Sequence, residues 1–149
     1  GKIYKEKLLH RIVHVVIFNN SGKMALQLRS KNVSFCPNYW CTAAAGHVLA
    51  GEDWKEAGLR ELKEELGIKL PIKFLYKDIY SNPFPGNQFG HKKLLGTFKS
   101  TYRGSFKINP KEVEKTEFFS LSQIQKMIDK GEKFHPELLF LLKKHFSIR

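Results

Sequence analysis

Cysteine is scarce: the 149 residues contain only Cys36 and Cys41. Two thiols exclude a disulfide scaffold, and their spacing is not that of a zinc site. Long apolar runs are missing too, since no stretch reaches the roughly 18 residues a membrane-spanning helix needs. Repeats and low-complexity tracts are absent. The opening Gly1-Lys2-Ile3 does not resemble a signal peptide, and its lack of Met reads as a trimmed start. A cytoplasmic location is therefore expected. Acidic residues are few: 14 Asp+Glu stand against 26 Lys+Arg, giving a net charge of +12.

The rest of the composition is that of a globular protein. A chain that is 42% hydrophobic and 13% aromatic is neither a disordered tail nor a fibre. Its length fits one domain, residues 1–149, with a proper core. The positive charge points to an anionic partner: nucleic acid, a phosphorylated small molecule or an acidic membrane surface. The acids are also bunched. None occurs from Lys7 to Gly51 or from Ile79 to Lys111, yet six of the fourteen lie between Glu52 and Glu65. The plain alternative for that segment is a solvated helix face.

Apolar patterning predicts a buried strand over Ile12 to Phe18, a turn at Asn19-Asn20-Ser21-Gly22, and a second strand from Met24 pairing back. Trp40 to Ala45 reads as one short strand. Asp53 to Leu66 reads as a helix stopped by Gly67. Ile72 to Tyr80, Leu94 to Tyr102 and Glu117 to Ser120 are further strands. Ser81 to Lys93, with two Pro and two Gly, is a long loop. Ser120 to Lys130, with a Ser120/Gln123 capping box, and Pro136 to Phe146 are the last helices. This alternation predicts an α/β (α+β) fold, a mixed sheet with helices packed on it.

On the Asp53–Leu66 helix, Leu59, Leu62 and Leu66 share one side, which would pack on the sheet. Glu61, Glu64 and Glu65 fall within another arc, their Cβ atoms about 5–6 Å apart. Such carboxylates repel one another, and a divalent cation removes the repulsion. Hard oxygen ligands suit Mg²⁺ or Mn²⁺. An exposed Glu-rich turn is the alternative.

The surrounding segment, Gly46 to Ile68, reads GHVLAGEDWKEAGLRELKEELGI. It resembles the signature of the Nudix hydrolase family, with Gly46, Glu52, Arg60, Glu61, Leu62, Glu64, Glu65, Gly67 and Ile68 filling every specified place. At ordinary residue usage, the seven exact identities among these nine, Leu62 and Ile68 filling aliphatic places, arise by chance roughly once in 10⁸–10⁹ starts. The resemblance implies an α/β/α sandwich around a mixed sheet. It also implies hydrolysis of a nucleoside or other organic diphosphate with Mg²⁺ or Mn²⁺. Carried over, Glu61, Glu65 and the Gly46 carbonyl would be metal ligands, and Glu64 a ligand or the base for water. Arg60 would orient a glutamate, and Glu52 would brace the loop or join the outer metal shell. A late-loop carboxylate often completes such sites. Glu112 is the candidate, with Glu114 and Glu117 as alternatives.

The partner is then a small diphosphate rather than nucleic acid or a membrane, although a non-catalytic nucleic-acid-binding module is a competing reading. Arg29, Lys31, Lys92 and Lys93 are candidates for holding phosphates. Phe35, Trp40, Phe84 and Phe89 are candidates for contacting the organic group. The alternatives are solvated cations and core aromatics.

A nearer resemblance covers LHRIVHVVIFNNSGKMALQLRS, FCPNYW and GHVLAGE, which are similar to the isopentenyl-diphosphate isomerase branch. In that branch histidines matching His10 and His47 bind metal, and a cysteine and a glutamate move protons to and from carbon. Here Ala45 stands at the cysteine position and Lys93 near the glutamate's, so hydrolase chemistry is expected on an isomerase-like scaffold. His10, His14 and His47 are candidates for a second metal site; a hydrogen-bonded histidine beside a buried strand is the alternative. Oligomeric state is not readable.

Overall fold

In the computed structural model, the described residues are 10–81 and 92–149. They form seven strands in one mixed sheet and three helices. The strands are β1 (His10–Phe18), β2 (Met24–Arg29), β3 (Trp40–Thr42), β4 (Ala44–His47), β5 (Lys73–Ser81), β6 (Lys92–Thr101) and β7 (Val113–Phe119). The helices are α1 (Trp54–Leu66), α2 (Leu121–Asp129) and α3 (Pro136–His145).

β1 is the central strand because its apolar run is buried on both faces. It lies parallel to β6 along its whole length, and β5 pairs antiparallel with β6 at the edge. β1 and β2 leave a tight turn closed by the Asn19 side chain, which accepts from the Ser21 and Lys23 amides. They share one register pair, Phe18 with Met24, and then part. The chain from Trp40 to His47 fills the gap: β3 pairs with β2, and β4 pairs with β1.

The single strand expected over Trp40 to Ala45 is therefore two, broken at Ala43. There the backbone changes partner, and the freed Ala43 carbonyl accepts from Gln27 Nε2 at 3.0 Å. β7 is also longer than the expected Glu117–Ser120. It pairs with β2 from Met24 to Arg29, but its exposed Glu114, Lys115 and Glu117 hide the apolar alternation. Lys92 and Lys93, expected in a loop, open β6 instead; pairing with Tyr80, Ser81 and His10 outweighs their charge.

The core has two main layers. Val13, Val15 and Ile17 face α1, where Leu62 and Leu66 are buried. Val16, Met24 and Leu26 face α2 and α3, where Ile124, Leu138 and Leu142 are buried. Helices thus cover both faces, an α/β/α sandwich. α1 sits close because it carries Gly58, where a Cβ would press on Ile72, and because Gly96 makes room for the Trp54 ring. Asp53 caps α1 in a reciprocal box with Glu56, and Gly67 ends it in the left-handed region at φ 62°. α2 opens with the expected Ser120/Gln123 box. No described helix is long and apolar enough to cross a membrane.

Loss of one N-cap oxygen typically costs about 1 kcal/mol. We expect Asp53→Ala to lower unfolding free energy by about that amount in a urea titration, with the slope unchanged.

Candidate active site

The parting of β1 and β2 opens a cavity of about 640 Å³. The C-terminal half of α1 and residues Ala45 to His47 of β4 form one wall, and His14, Lys93, His135 and Glu137 form a second part of the lining, with His14 paired beside Ala45. Gln27 and Arg29 of β2 line it between them.

On the first wall Arg60 is the hub. Its Nε donates to Glu52 Oε2 at 2.7 Å, and its Nη2 to Glu52 Oε1 at 3.0 Å and to the His47 carbonyl at 2.8 Å. Its Nη1 donates to Glu61 Oε1 at 2.5 Å and to Glu64 Oε2 at 3.3 Å. One planar guanidinium therefore ties the loop to the helix and holds two further carboxylates. Glu52 also accepts the Leu49 amide at 3.0 Å. The Arg60 bond, helped by Leu49, holds its carboxyl down at about 2. In the same balance the guanidinium is held charged, first by Glu52.

Glu61 and Glu65 are buried, 8% and 5% exposed, whereas Glu64 reaches solvent. Glu65 accepts from Gln27 Nε2 at 2.7 Å and from the Ala45 amide at 3.4 Å. Burial, followed by the neighbouring Glu61, pushes the Glu65 carboxyl well up. Burial and then Glu61 and Glu64 also raise Glu112, against the pull of Arg29. Gly46 lies so close to the Glu61 carboxylate that any Cβ there would collide with it.

Among the described residues no three His, Cys, Asp or Glu side chains form a ready metal cluster. The donor set nevertheless fits a hard divalent cation. Its oxygens are carboxylates, two of them withdrawn from water, and one is disfavoured as an anion by its neighbour. A cation of charge two offsets both penalties.

A second polar group also lines the cavity. His14 is fully buried, its Nδ1 2.8 Å from Thr42 Oγ1 and its Nε2 2.8 Å from Glu137 Oε1. Lys93 Nζ donates to Glu137 Oε2 at 3.0 Å. Burial alone would raise the Glu137 carboxyl, but His14, His135 and Lys93 bring it down to about 2. His135 caps α3, its Nδ1 accepting the Glu137 amide at 3.1 Å, and burial lowers it to about 4. Cys41 also lines the cavity, and burial pushes its thiol up to about 12.

The candidates from sequence fall in different places. Gly46, Arg60, Glu61, Glu64, Glu65, Glu112, Arg29 and Lys93 line the cavity. Glu52 stands behind Arg60. Arg29 donates from Nε to the Phe35 carbonyl at 3.1 Å, and Phe35 lines the cavity while 40% exposed. Lys31, Lys92, Glu114 and Glu117 are exposed and outside the lining. Trp40 is in the core against Phe119. His10 and His47 meet edge-on at 5.8 Å in the lining, while His14 is taken up by Thr42 and Glu137. Phe84 and Phe89 lie outside the described residues.

Gln27, His135 and Glu137 line the cavity without having been singled out from sequence. Glu137, just after Pro136, looks in one dimension like an ordinary first-turn acid of a helix. No local signal reports its partners.

A family model described as NUDIX domain matches residues 8–142. The chain belongs to the Nudix family. It is 47% identical over 64 residues to an uncharacterized Nudix hydrolase of Listeria innocua, a match covering 43% of this chain and 38% of that protein. It is 27% identical over 147 residues to isopentenyl-diphosphate Delta-isomerase of Serratia proteamaculans, covering 95% and 79%. The chain thus spans less than two fifths of the length of the Listeria relative.

Among solved structures, DR0079 from Deinococcus radiodurans superposes with a TM-score of 0.77 at 23% identity, over 91% of this chain and 82% of that one. The NUDIX domain of Shewanella oneidensis NrtR, complexed with ADP ribose, gives 0.71 at 15% identity, over 93% and 87%. These likenesses carry the fold.

Acid should loosen the His135–Glu137 part of the cavity. His135 titrates near 4 when folded against about 6.5 when free, so the unfolded chain binds the extra proton in between. Its contribution is complete above pH 6.5 and is lost as pH falls toward 4. Glu137 adds a loss in the same direction from about 4.5 toward 2. At about 1.4 kcal/mol per unit, the His135 share is about 3 kcal/mol. Urea unfolding across pH 7 to 4 should show a fall in stability that His135→Asn flattens.

Proposed function

We propose that the protein is a metal-dependent diphosphohydrolase that cleaves the diphosphate linkage of a nucleoside or other organic diphosphate by water attack on phosphorus. The convergence of Glu61, Glu64 and Glu65 with Gly46 on one cavity wall carries this reading. Membership of the Nudix family supports it.

In this reading Glu61, Glu65, the Gly46 carbonyl and Glu112 hold Mg²⁺ or Mn²⁺. The metal, when bound, neutralises the diphosphate and acidifies water. Glu64, at the wetter end of the row, is the ligand or base that takes the water's proton. Arg60 and Glu52 fix the glutamates by charge-assisted hydrogen bonds. Arg29 and Lys93 receive substrate oxygens, with Lys31 and Lys92 contributing positive potential at a distance. Phe35 offers an aromatic surface to the organic group.

Isomerisation of a prenyl diphosphate needs an acid–base pair across a carbon skeleton. Ala45 carries no proton to give, and the Cys41 thiol is deeply buried. The protein is read as acting as one domain on a small molecule in the cytoplasm, without nucleic acid or membrane.

Removal of a general base or a metal ligand typically costs 10²-fold or more. Glu64→Gln and Glu65→Gln should each reduce Mg²⁺-dependent release of phosphate or monophosphate by at least about 100-fold across a panel of organic diphosphates. Absence of metal-dependent turnover by the wild-type protein on a broad panel overturns the proposal.

A further inference from the structure

In the second polar group of the cavity, Glu137 is fully engaged. Its Oε1 faces His14 Nε2 at 2.8 Å, and its Oε2 accepts from Lys93 at 3.0 Å. His14 is itself anchored at Nδ1 by Thr42 Oγ1. The carboxylate is thus pinned from β1 and fixes where the Lys93 ammonium sits.

Lys93 uses one of its three protons on Glu137 and lies 5.9 Å from the centre of the Phe35 ring. His135 also meets Phe35, ring edge-on at 5.6 Å. Because His135 Nδ1 accepts the Glu137 amide, its proton sits on Nε2. No protein acceptor takes that proton among the described residues. This part of the cavity therefore offers two donors beside an aromatic ring, and its one carboxylate already has both oxygens bonded. A hydrocarbon packed here would leave the donors unpaired, whereas an oxygen-bearing group would satisfy them.

We propose that Glu137 is a positioning residue that aims Lys93 into the cavity. Lys93 and His135 then select diphosphates whose organic group carries accepting oxygen, over those ending in hydrocarbon. The oxygen is a ring carbonyl or a second phosphate. The inference rests on the diphosphohydrolase reading, which seats the diphosphate itself against the glutamates.

The test is calorimetric binding to Glu64→Gln protein in Mg²⁺, with three probes. Guanosine diphosphate carries a ring carbonyl, 5-phosphoribosyl diphosphate a second phosphate, and geranyl diphosphate only hydrocarbon. At least one oxygen-bearing probe should bind about tenfold or more tightly than geranyl diphosphate, and which one does so identifies the oxygen. Adding Lys93→Met or Glu137→Gln should reduce that preference about tenfold, with geranyl diphosphate affinity changed less than about threefold. A purely structural role would weaken all three probes together and leave the ratio alone. Should Glu137→Gln fail to fold, Lys93→Met carries the test. Equal or tighter binding of geranyl diphosphate, a ratio unmoved by Lys93→Met, or no binding of any probe overturns the inference. Failure of the hydrolase reading shows separately, as a wild-type protein that binds with this preference but releases no phosphate from any probe.

Discussion

β1 and β2 hold each other at one register pair, Phe18 with Met24, and part from there. Two strands that separate leave backbone groups without partners, and buried backbone groups must be satisfied. The Trp40–His47 segment supplies those partners, crossing from β2 to β1 at Ala43. The crossing sets the position of Gly46 over α1 and of Cys41 and Ala45 around the cavity. Small side chains suit it, because the segment is packed between two strands and a helix. Gln27 serves two ends here, satisfying the Ala43 carbonyl and binding Glu65. The strand break and the glutamate wall are therefore one construction.

The electrostatics follow from burial. Two of the clustered acids, Glu61 and Glu65, are buried, and like charges repel more strongly there than on a surface. Arg60 offsets part of this by contacting Glu52, Glu61 and Glu64 through one planar head. Glu65 is left with an amide and a backbone donor rather than a cation. The second polar group has the reverse arrangement, with one carboxylate among His14, Lys93 and His135. The cavity lining thus combines a cluster of carboxylates with a cluster of donors.

Much of the fold was legible in the sequence. The apolar run of β1, the capped α1 and the Ser120/Gln123 box are local signals, and local geometry follows them. The acidic row was legible because its residues lie within one helix and one loop. What stayed hidden depends on partners distant in sequence. The break at Ala43 reflects the parting of two other strands. β7 carries a polar outer edge, so pairing with β2 rather than hydrophobic period defines it. Lys92 and Lys93 join a strand despite their charge because backbones on both sides accept them. Glu137 meets His14 across 123 positions of chain, a separation that no spacing rule reaches.

The cavity also draws on distant stretches of chain. Its glutamates come from α1 and from Glu112, whereas His135 and Glu137 come from the start of α3, beside the bridge from Phe134 to Trp40. The same helix buries Leu138 and Leu142 in the core. α3 is therefore a wall of the cavity as well as a layer of the core, and a change in the packing beneath it is carried to Glu137 and the side chains that Glu137 holds.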